Sequence, residues 1–192
     1  MPKEKQSPAK EQSSKEKQVL IVTGYARSGK DTVADYLKKR HGFKKIVFSE
    51  FVAKELVKRK IDPTKENICK YGPHLRHELG ESYVIKQVLA QARKFSKVAI
   101  CSVKPLREYK AIMKEFPKTK MLLVSADPAV RFTRRPTDSP GEFKAFIARD
   151  KIDERIYKLK RTFAKRDIEI RNNGTLKELH TKVDAAYKKL FC

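Results

Sequence analysis

The sequence predicts a three-layer α/β/α protein built on a five-stranded parallel sheet. Short apolar runs recur along the 192 residues, and amphipathic helical segments lie between them. Parallel strands need long crossover connections, which are usually helical, so this alternation is typical of a parallel sheet with helices on both faces. The apolar runs are 19–22, 46–48, 98–101, 121–124 and 168–170. A chain of this length fits one domain, which buries about 70% of its unfolded surface.

The loop after the first apolar run predicts a site for nucleotide phosphates. Residues 24–32 read Gly-Tyr-Ala-Arg-Ser-Gly-Lys-Asp-Thr, which matches the spacing G-x-x-x-x-G-K between a strand and a helix. Glycines let the backbone bend around an anion, the helix N-terminus points its N–H groups at the phosphates, and Lys30 reaches their outer oxygens. We call residues 24–32 the phosphate loop.

We expect this loop to bind ATP together with Mg²⁺. Phosphate contacts are predicted for Gly24, Ala26, Arg27, Ser28, Gly29, Lys30, Asp31 and Thr32. Asp31 follows Lys30 directly, and the hydroxyl usual at that position is displaced to Thr32. Both side chains offer the oxygen ligands that Mg²⁺ prefers, directly or through water. A structural role for Asp31 stays open, because the helix dipole favours an acid in the first turn.

Helical periodicity and helix-ending residues predict the remaining elements. In the first helix Val33, Tyr36 and Leu37 repeat at helical spacing, and Gly42 ends it. A long helical region at about 50–95 separates the second strand from the third, with breaks near 62–64 and 79–82. An insertion of this size indicates a role beyond connecting two strands across the sheet.

The second half of the chain predicts a hinge-like segment and a C-terminal helix. A helix begins at about residue 129 and ends before Pro136, and a second begins at about 142. The loop at 136–141 between them holds two prolines and a glycine, which break regular structure. After the last strand, a turn at 172–175 leads into the final helix.

The chain is strongly basic, with a formal net charge of +23 at pH 7. Residues 1–18 hold five Lys and three Glu but no β-branched or aromatic residue, so we predict a disordered basic tail at 1–18 and a folded domain at 19–192. The tail accounts for +2, which leaves +21 on the domain. This charge favours phosphate-bearing ligands or RNA as partners. A lysine-rich surface without a specific partner explains it equally well, because the Lys residues are scattered.

Cysteine usage and hydropathy predict a cytoplasmic protein without a membrane partner. Cys69, Cys101 and Cys192 are widely spaced and include no C-x-x-C pair, which fits neither a disulfide framework nor a zinc site. No apolar stretch approaches the length needed to cross a bilayer, and the N-terminus lacks the apolar core of a signal peptide.

The sequence around the phosphate loop resembles P-loop nucleoside-monophosphate kinases of the deoxynucleotide kinase and dephospho-CoA kinase type. The matching opening runs over residues 24–37 and continues with His-Gly-Phe at 41–43. Segments 63–80, 127–131 and 146–150 are similar to archaeal predicted nucleotide kinases of the adenylate-kinase-like group. The resemblance covers about residues 18–190 and implies transfer of the γ-phosphoryl group of ATP to a small acceptor.

In such kinases the acceptor lies under the helical insertion that follows the second strand. The resemblance therefore makes the region at about 50–95 an acceptor-binding insertion, with Ser49, Glu50, Lys54 and Arg76 as acceptor contacts. An Arg is expected there because its planar fork binds two phosphate oxygens at once. Taken singly, Lys54 and Arg76 are also readily explained as surface charges.

The region at about 131–150 resembles the lid of these kinases. The resemblance implies catalytic roles for Arg131 and Arg135 beside Lys30, with Arg134 as a further lid arginine, since phosphoryl transfer needs positive charge around the transferring group. A solvated basic helix face is the alternative.

The turn before the last helix resembles the segment that contacts adenine in this superfamily. The resemblance implies nucleotide contacts from Asn173 and Gly174. The alternative is a plain turn in which Thr175 caps the last helix.

One position departs from the family pattern. Where related kinases have Asp-Gly after the third strand and then an Arg, this chain has Cys-Ser-Val-Lys at 101–104. A thiol does not replace a carboxylate as a ligand of a hard cation. Three alternatives stay open: Asp31 supplies the missing acid, Glu50 supplies it, or no residue does, in which case the protein binds nucleotide but transfers phosphate poorly.

Two functions follow from these observations. The first is an ATP-dependent phosphotransferase that acts on a nucleoside monophosphate, with dephospho-CoA as the second choice of acceptor. The second is a nucleotide-binding protein of RNA or ribosome assembly with weak catalysis, which the domain charge and Cys101 favour.

Overall fold

The computed structural model describes residues 17–80, 82–134 and 141–192, and it describes the backbone but not the side chains of Lys65, Cys69 and Arg76. Residues 1–16 of the predicted tail and Arg135 lie outside the described residues. The strands are β1 Gln18–Thr23, β2 Lys44–Val47, β3 Lys97–Cys101, β4 Lys120–Ser125 and β5 Ile168–Arg171. The helices are α1 Lys30–His41, α2 Phe48–Lys58, α3 Lys65–Glu78, α4 Tyr83–Ala92, α5 Leu106–Glu115, α6 Pro128–Thr133, α7 Phe143–Tyr157, α8 Leu159–Phe163 and α9 Leu176–Phe191.

The strands form one five-stranded sheet in the order β2-β3-β1-β4-β5, and all neighbouring pairs are parallel. From β1 the chain passes to β2 at the edge of the sheet and then returns to β3 and β4, which lie on either side of β1. The carboxyl ends of β1, β3 and β4 are therefore side by side. This is the edge at which open α/β sheets bind ligands. The predicted parallel sheet is confirmed.

Alternate residues of β1 face two separate cores, which confirms the three-layer arrangement. Val19 and Ile21 point to one face, where they pack with apolar residues of α2, α3, α4 and α5. Leu20 and Val22 point to the other face, where α1 and α9 cover the sheet. A central strand buried on both faces therefore reads as an unbroken apolar run.

The second strand differs from its predicted bounds. β2 ends at Val47, and Phe48, predicted as its last residue, is the first residue of α2. Phe48 is buried in either case, and an apolar run alone does not distinguish the end of a strand from the start of a helix. The predicted helical region at about 50–95 consists of α2, α3 and α4, with α2 packed against both of the others.

None of the described helices is long and apolar enough to span a membrane.

Candidate functional site

A cavity of about 590 Å³ opens at the carboxyl edge of the sheet, directly over the phosphate loop. It is lined by the loop, by the start of α2 and one residue of α3, and by the segment after β3 together with α7 and α8. The predicted phosphate contacts in this lining are Gly24, Ala26, Arg27, Gly29, Lys30, Asp31 and Thr32. One concave site therefore gathers most of the predicted ATP-binding residues.

Two glycines give the phosphate loop its shape, and each leaves no room for a side chain. A Cβ atom on Gly24 would lie 2.2 Å from the carbonyl oxygen of Val124 in β4. Gly29 has a φ of 97°, and a Cβ atom there would lie 2.2 Å from Nδ2 of Asn172. Arg27 between them is also left-handed, with a φ of 64°. Alternating conformations of this kind aim successive N–H groups into an anion-binding concavity.

The charged end of the phosphate loop combines a cation with hard oxygen donors. Lys30 is largely buried, and its Nζ lies 3.1 Å from Oδ2 of Asp31, which is exposed. Lys45 donates to Asp35 Oδ1 at 3.0 Å and to the backbone oxygen of Asp31 at 3.4 Å. Burial lowers the pKa of Lys45, but the bonded Asp35 and the nearby Asp31 outweigh this effect and hold the pKa above its ordinary value.

The loop residues fit a magnesium-bound nucleotide. Asp31 and Thr32 offer a carboxylate and a hydroxyl to the cavity, and Mg²⁺ in such sites is held by one or two protein oxygens plus phosphate oxygens and water. Among the described residues, no group of three or more acidic, His or Cys side chains could hold a metal ion. Ser28 of the phosphate loop is fully buried, and its hydroxyl has no hydrogen-bond partner among the described residues.

Arg131 lies behind the phosphate loop and does not line the cavity. Its side chain is 4% exposed. Nη1 donates to the carbonyl oxygen of Ala26 at 3.1 Å, Nε donates to that of Ala126 at 3.2 Å, and Nη2 donates to Asp150 Oδ2 at 2.5 Å. The predicted lid arginine is thus bound by protein oxygens of the loop and of α7.

Two further residues lie near the loop: Arg134, for which the resemblance implies a place in the lid, and Asn172, for which the sequence indicates no role in the site. Arg134 lines the cavity, donates from Nη2 to the carbonyl oxygen of Asn172 at 2.9 Å, and has a buried Nη1 without a described partner. Asn172 is buried and donates from Nδ2 to the carbonyl oxygen of Ser28 at 2.8 Å. Arg134 stood among the lid arginines of the resemblance, but no sequence signal separated Asn172 from its neighbour Asn173.

One part of the cavity lining carries a charged cluster. Lys104, in the segment after β3, contacts both oxygens of Asp153 at 3.1 Å and lies 4.6 Å above the ring of Tyr157. Arg149 lines the same cavity. The cavity lining also has an apolar part, which is formed by Phe48, Val52, Ile68 and Val103. Asp153 had no sequence signal, because nothing local relates a helix residue to a loop 49 positions earlier.

The segment after β3 is held close to the phosphate loop by two hydrogen bonds to β1. The Thr23 hydroxyl donates to the carbonyl oxygen of Val103 at 2.9 Å, and the N–H of Ser102 donates to that of Val22 at 3.2 Å. Ser102 has a φ of 66°, a left-handed turn that ends the strand. These contacts bring Lys104 into the cavity.

The predicted acceptor contacts divide between the cavity and the surface. Ser49 lines the cavity near the start of α2. Glu50 and Lys54 are exposed residues outside the lining, and the Lys54 ammonium lies 5.5 Å from the ring centroid of Phe51. The side chain of Arg76 is outside the described residues.

Cys101 belongs to the core and not to the site. It is fully buried at the end of β3, among the apolar residues that α1 and α9 cover. Burial raises the pKa of its thiol to about 12. An acid at this position would face the core and not the cavity. Among the described residues, the acids that line the cavity are Asp31 and Asp153.

We expect Cys101 to resist alkylation in the folded protein. Iodoacetamide reacts with thiolates, and a buried thiol with so high a pKa supplies almost none at pH 8. Peptide mass spectrometry should find the exposed Cys192 modified in the native protein and Cys101 modified only after denaturation. Native labelling of Cys101 at a rate comparable to that of Cys192 would contradict its burial.

The predicted adenine contacts lie outside the cavity lining. Asn173 is bonded to Asp127, with Nδ2 donating to Oδ2 at 2.8 Å and Oδ1 accepting from the backbone N–H at 2.9 Å. A Cβ atom on Gly174 would lie 1.8 Å from Oε2 of Glu178. That carboxylate completes a capping box with Thr175 at the start of α9, so the plain-turn alternative accounts for both residues.

Proteins of solved structure share this fold. Shikimate kinase from Bacteroides thetaiotaomicron aligns with a TM-score of 0.61 and 14% sequence identity, over 92% of this chain and 99% of that protein. A gluconokinase from Sinorhizobium meliloti aligns with a TM-score of 0.60 and 12% identity, over 90% of this chain and 93% of that protein. At these identities the likeness shows the fold alone, which is that of the P-loop kinases.

Relatives in sequence come from archaea. No protein-family model matches the chain. A UPF0200 protein of Thermococcus gammatolerans is 31% identical over 182 residues, which are 90% of this chain and 95% of that protein. A UPF0200 protein of Thermococcus kodakarensis is 31% identical over 175 residues, which are 86% and 94% of the two chains. Since these alignments run over nearly the whole of both proteins, the chain belongs to the UPF0200 family.

Proposed function

We propose that this protein is an ATP-dependent phosphotransferase whose acceptor is a small phosphorylated molecule, with a nucleoside monophosphate as first choice. The observation that carries the proposal is one cavity lined both by the phosphate loop and by a second group of cations, Arg149 and the Asp153-bound Lys104. The phosphate loop suits the triphosphate of ATP. The second group of cations suits the phosphate of an acceptor.

The nucleotide half of the cavity supports ATP binding by the phosphate loop. Gly24 and Gly29 permit the loop to pack closely against β4 and Asn172, and Lys30 at the start of α1 adds a cation at the positive end of the helix dipole. Asp31 and Thr32 would hold Mg²⁺, which neutralises phosphate charge when bound. Arg134 lines the same cavity, and its buried Nη1 has no hydrogen-bond partner among the described residues.

The acceptor half of the cavity favours a phosphate ester that carries a nucleobase over a polyol. Phe48, Val52 and Ile68 line this half, and the partly exposed Ile68 offers apolar area to the face of a planar ring, while Phe48 and Val52 are almost fully buried behind it in the core. A polyol would leave that surface without a partner and its own hydroxyls unpaired. Dephospho-CoA, which also contains adenine, is the second choice.

Direct transfer between the two bound molecules needs little covalent chemistry from the protein. Catalysis would come from positioning and from the cations that line the cavity, which among the described residues are Arg27, Lys30, Lys104, Arg134 and Arg149. Arg131, predicted as catalytic, contributes through its contacts to the loop in this proposal.

The experiment is an assay of ADP formation with purified protein, ATP and Mg²⁺ against a panel of nucleoside monophosphates and dephospho-CoA. Shikimate and gluconate serve as hydroxyl acceptors without an apolar ring. We expect at least one monophosphate to raise ADP formation well above the background without acceptor. No stimulation by any phosphorylated acceptor would overturn the proposal, and stimulation by a polyol alone would overturn the choice of acceptor.

Replacing Lys104 should weaken acceptor binding specifically. In Lys104→Met the acceptor phosphate loses a charge-assisted partner, so we expect the acceptor KM to rise by roughly 10- to 100-fold while the KM for ATP stays unchanged. Lys110→Met, an exposed residue on α5, is the matched control and should leave both constants unchanged. Initial rates over a grid of both substrates measure the two constants; equal rises in both would contradict an acceptor role.

The second candidate is a nucleotide-binding protein of RNA or ribosome assembly. The formal charge of +21 on residues 19–192 favours it, since such a surface attracts RNA phosphates. Filter binding of a structured RNA at increasing salt tests it. Affinity near physiological ionic strength that falls steeply with salt would support it, and absence of binding there would exclude it.

A further inference from the structure

The phosphate loop of this protein is bound from behind by two side chains that lie outside the cavity lining. Arg131 of α6 donates to the carbonyl oxygen of Ala26 at 3.1 Å. Asn172, after β5, donates to the carbonyl oxygen of Ser28 at 2.8 Å. The two acceptors are alternate peptide carbonyls of the loop, and both donors are almost fully buried. Such bonds set the rotation of the two peptide units.

Each of these peptide units also carries one N–H group that belongs to the next residue. In a planar trans peptide the carbonyl of one residue and the N–H of the following residue point in opposite directions. A carbonyl of Ala26 held by Arg131 therefore directs the N–H of Arg27 the other way, and a carbonyl of Ser28 held by Asn172 does the same for the N–H of Gly29. Arg27 and Gly29 both line the cavity.

We propose that Arg131 and Asn172 are positioning residues of the phosphate loop, which hold the Ala26 and Ser28 carbonyls away from the cavity and thereby aim the N–H groups of Arg27 and Gly29 at the nucleotide. Neither side chain touches the nucleotide in this arrangement. The inference rests on the proposed function, because the ligand of these N–H groups is taken to be a nucleotide phosphate.

Three further contacts of Arg131 make the arrangement rigid. Arg131 is also bound to Asp150 of α7 and to the carbonyl oxygen of Ala126, and its guanidinium lies 5.3 Å from the ring centroid of Tyr25. A side chain held at all three guanidinium nitrogens has little freedom to leave the loop. Preorganised donors of this kind bind a phosphate without paying for their own ordering at the time of binding.

Gly29 and Asn172 form a matched pair in this arrangement. A Cβ atom on Gly29 would lie 2.2 Å from Nδ2 of Asn172, the same atom that donates to the Ser28 carbonyl. The glycine therefore leaves the space that the amide needs to reach the loop. A glycine is therefore needed at position 29 for two reasons, which are the close approach of the Asn172 amide and the left-handed backbone.

The test uses the full chain, ATP with Mg²⁺ as the probe, and the variants Asn172→Ala and Arg131→Lys. Isothermal titration calorimetry measures ATP affinity. Amide ¹H–¹⁵N spectra of the nucleotide-free protein report on the N–H groups of Arg27 and Gly29. The matched control is Asn67→Ala, which removes an amide that donates to a backbone carbonyl, that of Asp62, at the same 2.8 Å but away from the cavity.

We expect ATP affinity to fall about five- to tenfold in each variant, as for the loss of one positioned hydrogen bond, and to stay unchanged in Asn67→Ala. In the nucleotide-free protein the Gly29 amide signal should shift or broaden in Asn172→Ala, and the Arg27 signal should do so in Arg131→Lys. Kinetically, the KM for ATP should rise while the acceptor KM does not.

Three results would overturn the proposal or its basis. Folded variants with wild-type ATP affinity and unchanged Arg27 and Gly29 signals would overturn the positioning role. Weaker ATP binding in Arg131→Lys with an unchanged Arg27 signal would show that Arg131 contacts phosphate directly. Failure of the wild type to bind ATP would overturn the proposed function, while the amide signals would still decide the positioning role. If Asn172→Ala does not fold, Asn172→Asp removes the same donor and keeps the shape.

Discussion

Lys30→Ala should abolish phosphotransfer while leaving the fold intact. Lys30 is a loop cation that lines the cavity at the start of α1. In the proposed reaction the transferring phosphoryl group would develop spread negative charge beside it. Removing one preorganised donor of this kind costs roughly 10²- to 10³-fold in turnover, and the loss of a full charge places the expected effect at the upper end. The measurement is the rate of ADP formation with the best acceptor of the panel.

Lys39→Ala is the matched control, since it removes an exposed lysine from the same helix. It should leave turnover and thermal stability unchanged. A Lys30→Ala protein with turnover within threefold of the wild type would contradict the role of the loop in transfer. The same variant also separates the two candidate functions, because binding of RNA to a broad basic surface should hardly respond to the loss of one cavity lysine.

The fold was predictable because its signals are local. Strands buried on both faces appear as apolar runs, and β1, β3 and β4 begin within one residue of the predicted runs. The Gly-Lys loop between β1 and α1 is likewise contained in nine consecutive residues, so its position in the cavity follows from the sequence. The error at Phe48 arose where the local signal was ambiguous, since burial there is common to strand and helix.

The long-range contacts of the site were not predictable, because only the tertiary fold brings these residues together. Lys104 contacts Asp153 in the cavity across 49 positions, and Asn172 contacts Ser28 behind the phosphate loop across 144. Cys101 shows a related limit of prediction from sequence, because neighbouring side chains of a strand face opposite sides of the sheet. Cys101, at the position where the resemblance implies an acid, points into the core, and the residues that follow it line the cavity.

The phosphate loop thus takes its shape from other elements as much as from its own glycines. β4 supplies the Val124 carbonyl against Gly24, α6 supplies Arg131, and the segment after β5 supplies Asn172. A loop held from three directions is rigid before its ligand arrives, which reduces the entropy cost of binding. A substitution in the loop should therefore also disturb the packing of the sheet.

Gly24→Ala should therefore destabilise the whole domain and not only weaken nucleotide binding. The added Cβ would lie 2.2 Å from a backbone oxygen of β4, which cannot move aside without disturbing the sheet, and the φ of 154° is itself unfavourable for a side chain. Overpacking and backbone strain together lead us to expect a loss of about 3 kcal/mol in the free energy of unfolding. Gly42→Ala is the control, because Gly42 has a φ of 72° but nothing within 4 Å of the added atom, so it should lose only about 1 kcal/mol. Urea denaturation of both variants measures the difference, and equal losses would show that the contact with β4 does not constrain the loop.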